Sequence, residues 1–177
     1  MNIEQKRGMS GNLKPFDRND HAQYDSKGKK AFIKYLNGFL PTNLTTIENP
    51  NDYGIDLLTL DKDTDKVIQT WEIEVRHGNW RDDTPFPFSE INCIERKDHQ
   101  WRKSAEYLKK IPLIVADDHK VCYVQLNAPC TRAVLIDSEL ILSYPLKPWA
   151  NRKGDGEYVR QVPVAKTIQI KIAWQHI

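Results

Sequence analysis

Three acidic residues stand where the two strands of one hairpin would bring them together. Asp56 lies in a strand predicted over residues 53–60, and Glu72 and Glu74 lie two positions apart in the next strand. Side chains at i and i+2 share one strand face, so both glutamates point to the same place. Converging carboxylates need a compensating cation because their charges repel one another. Mg2+, with Mn2+ as a substitute, suits such oxygen ligands and commonly takes a few carboxylates plus water.

A site of this kind is suited to phosphodiester hydrolysis. The metal can polarise a nonbridging oxygen, lower the pKa of an attacking water and stabilise the leaving oxygen. A nearby cation, Arg76 or Lys97, would stabilise the charge that develops on the phosphate. The same acids also permit another interpretation, an unrelated mixed α/β interaction module in which the polar strand face is only solvated.

The elements that must position these residues follow from hydrophobic periodicity. Apolar residues spaced by three and four predict a helix over residues 26–40, and a second helix is predicted over 96–110. Strict alternation over residues 71–76 puts Glu72, Glu74 and Arg76 on one strand face. The predicted strands cover residues 44–48, 53–60, 67–75, 91–94, 113–116, 121–126 and 133–136, with a β-prone tail at 162 and 168–172. This order indicates a mixed sheet with helices on its faces.

The two acidic strands resemble the motif strands of the PD-(D/E)XK nuclease superfamily, the restriction-endonuclease-like fold. Residues 53–57 read Tyr-Gly-Ile-Asp-Leu, and residues 71–76 read Trp-Glu-Ile-Glu-Val-Arg. The family core is a helix, a three-stranded antiparallel meander carrying an Asp and a Glu-x-Lys, a helix and a further strand. The predicted elements follow that order over roughly residues 25–126. The resemblance implies an α/β fold with a mixed β-sheet core flanked by helices, and a Mg2+-dependent endodeoxyribonuclease.

The motif strand departs from the family because it contains no lysine. In one register Glu72-x-Glu74 is the motif, with glutamate in place of lysine, as in some restriction enzymes of the superfamily. In the other register Glu74-x-Arg76 is the motif, and arginine, a poor proton acceptor, still stabilises an anion. Both registers keep the residues on the same face. The missing lysine leaves a second hypothesis open, a catalytically inactive nuclease-fold protein that binds nucleic acid or a protein partner.

Basic residues around the motif strand are candidates for contacts with the DNA backbone. They occupy the loop over residues 77–90 and the start of the helix predicted over 96–110: Arg81, Arg96, Lys97, Arg102 and Lys103. Contacts of this kind make the affinity for DNA salt-dependent. Restriction-like folds often act as dimers, so a homodimer is a possible assembly in addition to the DNA complex.

Length, composition and charge distribution indicate how the chain is organised into domains and what kind of partner it attracts. The chain has 177 residues, of which 40% are hydrophobic, and this predicts one domain over residues 25–177 after a flexible arm over 1–24. Residues 1–47 hold 8 bases and 4 acids, residues 48–74 hold 2 and 8, and residues 75–177 hold 16 and 12. An acidic segment between basic ones fits a metal site within a surface that attracts polyanions. The single-domain size favours a nicking or repair-type role, or a small phage or mobile-element nuclease.

Several other classes of protein are not supported. The three cysteines include no Cys-x-x-Cys pair, so no disulfide framework is expected. No apolar run approaches the roughly 20 residues of a membrane helix. The first residues lack the apolar stretch of a secretory signal, which favours a cytoplasmic protein. The sequence contains no glycine-rich phosphate loop, so no nucleotide cofactor is expected.

Overall fold

The computed structural model describes residues 18–51, 54–76, 78–149 and 158–172, which form a mixed α/β structure. Within these ranges no helix combines the length and the apolar character that a membrane crossing requires. The elements, in chain order, are α1 (Arg18–Phe39), β1 (Leu44–Glu48), β2 (Leu57–Asp61), β3 (Lys66–Arg76), β4 (Glu90–Ile94), α2 (Asp98–Trp101), α3 (Ala105–Leu108), β5 (Val115–Asn127), β6 (Arg132–Asp137), α4 (Ser138–Ser143), β7 (Leu146–Pro148), β8 (Tyr158–Pro163) and β9 (Ile168–Lys171).

The larger sheet has six strands in the order β1-β2-β3-β5-β6-β9. β1, β2 and β3 form an antiparallel meander, whereas β3 and β5 are parallel. A parallel pair needs a long crossover connection, and β4, α2 and α3 lie within it. β4 belongs to a second sheet of three strands in the order β4-β8-β7. The predicted α/β class, with a mixed sheet and helices, is confirmed.

Helix α1 packs on one face of the larger sheet. The ring of Phe32 meets that of Trp71 edge-on, with centroids 5.3 Å apart, and Ile73 and Val75 lie in the same apolar cluster. Gly28 permits the close approach, because an added Cβ would lie 2.5 Å from Cγ2 of Val75. Trp71, Ile73 and Val75, the odd-numbered residues in the second half of β3, therefore face α1.

The opposite face of the larger sheet is also covered. Its apolar cluster joins residues of β3 and β5 to residues of the second sheet and of α2, α3 and α4, among them Trp80, Ile91, Trp101, Tyr107, Tyr123, Ile141 and Val162. The even-numbered acids of β3 lie on this face, and Glu72 is only 7% exposed. The alternative expectation of a solvated acidic face is therefore wrong for Glu72, because the crossover connection covers the strand there.

The helix predicted over residues 96–110 is broken. A 3-10 turn over Glu95–Lys97 leads into the short α2, and α3 follows after an interruption. Lys103 has a φ of 51°, a left-handed conformation that ends the first segment. Ser104 then caps α3, accepting a hydrogen bond from the backbone N–H of Tyr107 at 3.2 Å.

Other boundaries differ from the predicted ones. α1 begins at Arg18 rather than at residue 26, and residues 1–17 of the predicted arm lie outside the described residues. The strands predicted over residues 113–116 and 121–126 overlap one strand, β5, whose register against β3 shifts between them: Val67 lies opposite Val115, and Gln69 lies opposite Lys120. α4 was not predicted, although Asp137 caps it by accepting from the N–H of Glu139.

Candidate active site

Asp56 lies at the entrance to β2, one residue before the strand begins. Its Oδ2 accepts a hydrogen bond from the backbone N–H of Ile73 at 2.8 Å, which holds the carboxylate against the middle of β3. Its Oδ1 lies 2.9 Å from Nζ of Lys29 on α1. Burial lowers the pKa of Lys29, but the charge of Asp56, together with that of Glu48, outweighs burial and leaves the pKa raised. Lys29 therefore remains a cation beside Asp56 at neutral pH.

The loop before Asp56 is held by Asn49. The Asn49 side chain donates from Nδ2 to the carbonyl of Ile55 at 2.8 Å, and its Oδ1 accepts from the N–H of Asn51 at 3.1 Å. Its backbone N–H also donates to the carbonyl of Asp56 at 2.9 Å. Gly54 leaves room for this side chain, because an added Cβ would lie 2.6 Å from Nδ2. These contacts fix the backbone on which Asp56 depends.

Glu72 and Lys97 form a buried ion pair. Lys97 ends the 3-10 turn after β4, and its Nζ donates to Oε1 of Glu72. The other oxygen of Glu72, Oε2, is buried and has no hydrogen-bond partner among the described residues. Burial raises the pKa of Glu72 to about 7 against the opposing effect of Lys97, while the charge of Asp56 adds to the rise. Burial lowers the pKa of Lys97, but the Glu72 carboxylate outweighs it and leaves the pKa raised.

Glu74 shares the face of Glu72 and has a different partner. The hydroxyl of Tyr123 on β5 donates to Oε2 of Glu74. Nε2 of Gln125 donates in turn to the Tyr123 oxygen at 2.7 Å. The Tyr123 ring also lies under the Lys97 amine, with 5.8 Å between Nζ and the ring centroid. The parallel pairing of β3 and β5, which sets Glu72 opposite Tyr123, brings these groups together.

Arg76 continues the polar row of β3. Its guanidinium carbon lies 5.6 Å from the centroid of the Phe86 ring. Its Nε is buried and has no hydrogen-bond partner in the part of the chain that the structure describes. A buried guanidinium nitrogen without an acceptor carries an unmet desolvation cost, and a bound anion would offset that cost.

The candidate DNA-binding residues lie in different environments. Only Lys97 among them reaches the acids in the described structure. Arg81 and Arg96 are exposed, and Nε of Arg81 donates to the carbonyl of Gly78 in its own loop. Arg102 is also exposed and lies 3.7 Å from Asp98, whereas Lys103 turns toward β5 and donates to a backbone carbonyl. His77, which follows the motif strand, lies outside the described residues.

The carboxylates do not form a three-residue metal cage. No group of three His, Cys, Asp or Glu side chains able to hold a metal ion occurs among the described residues. The three acids instead contact Lys29, Lys97 and Tyr123. Mg2+ is usually held by one or two carboxylates, waters and substrate phosphates. Glu72 fits that smaller requirement because its Oε2 is an unused buried acceptor, and Asp56 is the neighbouring carboxylate, with Oδ1 paired to Lys29.

The polar face of β3 thus carries a buried amine, two glutamates and a guanidinium, with Asp56 at its edge. No family model, curated protein or solved structure matches this chain. The chemistry open to the site is that of hard oxygen ligands beside fixed cations, a combination suited to a metal ion and a phosphate.

Three residues of the site were missed by sequence reasoning. Tyr123 and Gln125 stand two positions apart in an otherwise apolar strand, a pattern that signals polar groups on one buried face. Lys29 gave no such signal, because one lysine among several on α1 looks like part of a solvated surface.

Proposed function

We propose that this protein is a metal-dependent endodeoxyribonuclease of restriction-endonuclease-like fold. The observation that carries the proposal is the contact of the Lys97 amine with the Glu72 carboxylate, on the strand face beside Asp56. The motif strand lacks a lysine, and Lys97 brings an amine to the same carboxylate from the crossover connection. A cation and acids on one face are what phosphodiester hydrolysis needs.

The topology around these residues supports the proposal. A helix, an antiparallel meander, a crossover with helices and a strand parallel to the third strand follow one another from α1 to β5. This is the element order of the family that the sequence resembles. Asp56 lies just before the second strand and Glu72 lies on the third, and the resemblance leads us to expect motif acids on these two strands.

In this proposal each group of the site has a distinct role. Asp56 and Glu72 would hold Mg2+, with Glu74 beside them. The ion, when bound, supplies a Lewis acid and lowers the pKa of a water molecule. Lys97 places a fixed positive charge next to the metal-binding acid, where charge develops on the phosphate. Arg76 offers its unpaired Nε to a phosphate oxygen.

Exposed bases around the site would hold the DNA backbone. Arg81, Arg96 and Arg102 are exposed and occupy the loop after β3 and the segment around α2. Contacts from three such residues predict that the affinity for DNA falls as salt concentration rises. They carry no sequence information by themselves, which suits a nuclease directed by DNA structure.

A second candidate function is a nuclease-fold protein that binds DNA or a protein partner without cleaving DNA. The observation that favours it is that all three acids already have partners and form no three-residue metal group within the described ranges. If the second candidate binds DNA, the two candidates predict the same binding of DNA in EDTA, and they differ in cleavage when a divalent metal is supplied.

Cleavage of supercoiled plasmid in Mg2+, Mn2+ or EDTA tests the proposal. The variants are Asp56→Ala, Glu72→Gln and Lys97→Met, and the matched controls are Asp63→Ala in the β2–β3 turn and Lys109→Met after α3, both exposed in the structure. We expect metal-dependent nicking or cutting that the three site variants lose and the controls keep. Activity that survives in the site variants would refute this site. Absence of cleavage with intact DNA binding, measured by fluorescence anisotropy, would favour the second candidate.

A further inference from the structure

Tyr123 touches two of the charged groups of the site at once. Its hydroxyl donates to Oε2 of Glu74, and its ring lies 5.8 Å below the Lys97 amine. The side chain is 2% exposed and belongs to the middle of β5, one of the most deeply buried strands. A rigid aromatic side chain that meets both groups sets their separation.

The orientation of the Tyr123 hydroxyl is fixed by a second contact. A tyrosine oxygen can donate one hydrogen bond and accept others. The Tyr123 oxygen accepts a hydrogen bond from Nε2 of Gln125 at 2.7 Å, so the hydroxyl hydrogen is directed to Glu74. Gln125 is fully buried on the same strand face, and the pair forms a chain of donors that ends on the carboxylate.

The ring of Tyr123 is held by a contact with α2. The ring of Trp101, at the end of α2, lies 5.5 Å from it between centroids. α2 is in turn anchored by Arg160, whose Nε and Nη2 reach the two oxygens of Asp98 at 3.1 and 2.6 Å. Lys97 immediately precedes Asp98, so the amine and the ring beneath it belong to one anchored segment.

We propose that Tyr123 is a positioning residue of the nuclease site, which aims Glu74 through its hydroxyl and supports Lys97 with its ring. This inference rests on the proposed nuclease function and adds a residue that the motif strand does not contain. In this inference the Tyr123 hydroxyl, and not Lys29 or Lys97, sets the orientation of the Glu74 carboxylate. It also gives the buried Gln125 a role, since that amide fixes the direction of the hydroxyl.

Tyr123→Phe tests the inference because it removes the hydroxyl and leaves the ring under Lys97. Tyr107→Phe is the matched control, since Tyr107 is a second buried tyrosine whose hydroxyl bonds to β3, at Thr70, at 2.5 Å. We expect kcat for plasmid nicking to fall about 10- to 100-fold in Tyr123→Phe, a loss typical of a misplaced group, with KM and DNA affinity within about twofold of wild type. Tyr107→Phe should keep the wild-type kcat.

A double-mutant cycle with Glu74→Gln separates positioning from general stability. If Tyr123 acts through Glu74, adding Tyr123→Phe to Glu74→Gln lowers kcat no further, whatever the two changes do to the free energy of unfolding. Equal kcat values for Tyr123→Phe and Tyr107→Phe would overturn the positioning role, and so would fully additive losses of kcat in the cycle. In either case cleavage by the wild type would still support the nuclease proposal. An inactive wild type overturns both proposals.

Discussion

Replacing Lys97 by methionine removes the amine that contacts Glu72 and keeps most of the apolar stem. The carboxylate of Glu72 is then buried without that cation, and its Oε2 already has no partner among the described residues. The free energy of unfolding must fall, and the size of the fall depends on pH because Glu72 can escape the cost by binding a proton.

The magnitude follows from the pKa of Glu72, which burial raises from 4.5 to about 7 in the wild type. When an acid has a higher pKa in the folded state than in the unfolded state, the free energy of unfolding falls as the pH rises from the lower pKa to the higher one. The reason is that the acid loses its proton first in the unfolded state. In the wild type this cost stops growing near pH 7. Without Lys97 the pKa rises further, so the cost continues to grow up to pH 8.5, by at most about 2 kcal/mol at about 1.4 kcal/mol per pH unit.

Urea unfolding of Lys97→Met in EDTA, followed by tryptophan fluorescence at pH 5.5 and pH 8.5, measures this difference. We expect the variant to lose up to about 2 kcal/mol more at pH 8.5 than at pH 5.5, where Glu72 binds a proton in both proteins. Lys109→Met should show no such difference, and the double variant Glu72→Gln/Lys97→Met should lose it. An equal loss at the two pH values would refute the account of a buried carboxylate neutralised by Lys97.

Three further predictions concern packing, the loop before Asp56 and the thiols. Gly28→Ala should lower the free energy of unfolding by about 1–3 kcal/mol because its Cβ would overlap a valine methyl of β3. Gly38→Ala is its control, since a Cβ there meets nothing within 4 Å in the described structure, and a similar loss in both variants would contradict the packing argument. Asn49→Ala should cost about 1–3 kcal/mol in urea unfolding and reduce plasmid cleavage, and unchanged values for both would show that the loop holds Asp56 without it. Burial raises the pKa of Cys93 to about 12, so iodoacetamide at pH 8 should label it only after unfolding, and rapid labelling of the folded protein would refute its burial.

Local patterns in the sequence were sufficient for the elements that carry the acids. The β2–β3 hairpin and the alternation of β3 are confirmed, because a period of two and a polar turn are properties of adjacent residues. The broken helix after β4 was not predictable in the same way. Lys103 adopts a left-handed conformation without being a glycine, so its identity gives no local signal.

The site itself depends on contacts between distant residues. Lys97 was a candidate because the chemistry calls for a cation, but its contact with Glu72, 25 positions away, requires the crossover to fold over β3. Tyr123 is 49 positions from Glu74, and only the parallel register of β5 brings them together. Residues 117–120, which the sequence placed between two strands, belong to β5, and the buried His119 there stacks on Tyr107 of α3, a tertiary contact that neighbouring residues in the sequence do not reveal.

The parallel pairing of β3 with β5 has a consequence for the order in which the protein is made. The meander from β1 to β3 closes through short loops and can pair while the chain is still being synthesised, whereas β5 joins only after the whole crossover has left the ribosome. A nascent chain that ends before residue 123 already contains Asp56, Glu72, Glu74 and Lys97 but not the tyrosine between them. Tyr123 is therefore synthesised after the charged residues of the site, and those residues reach their final geometry only once β5 has been translated and has paired with β3.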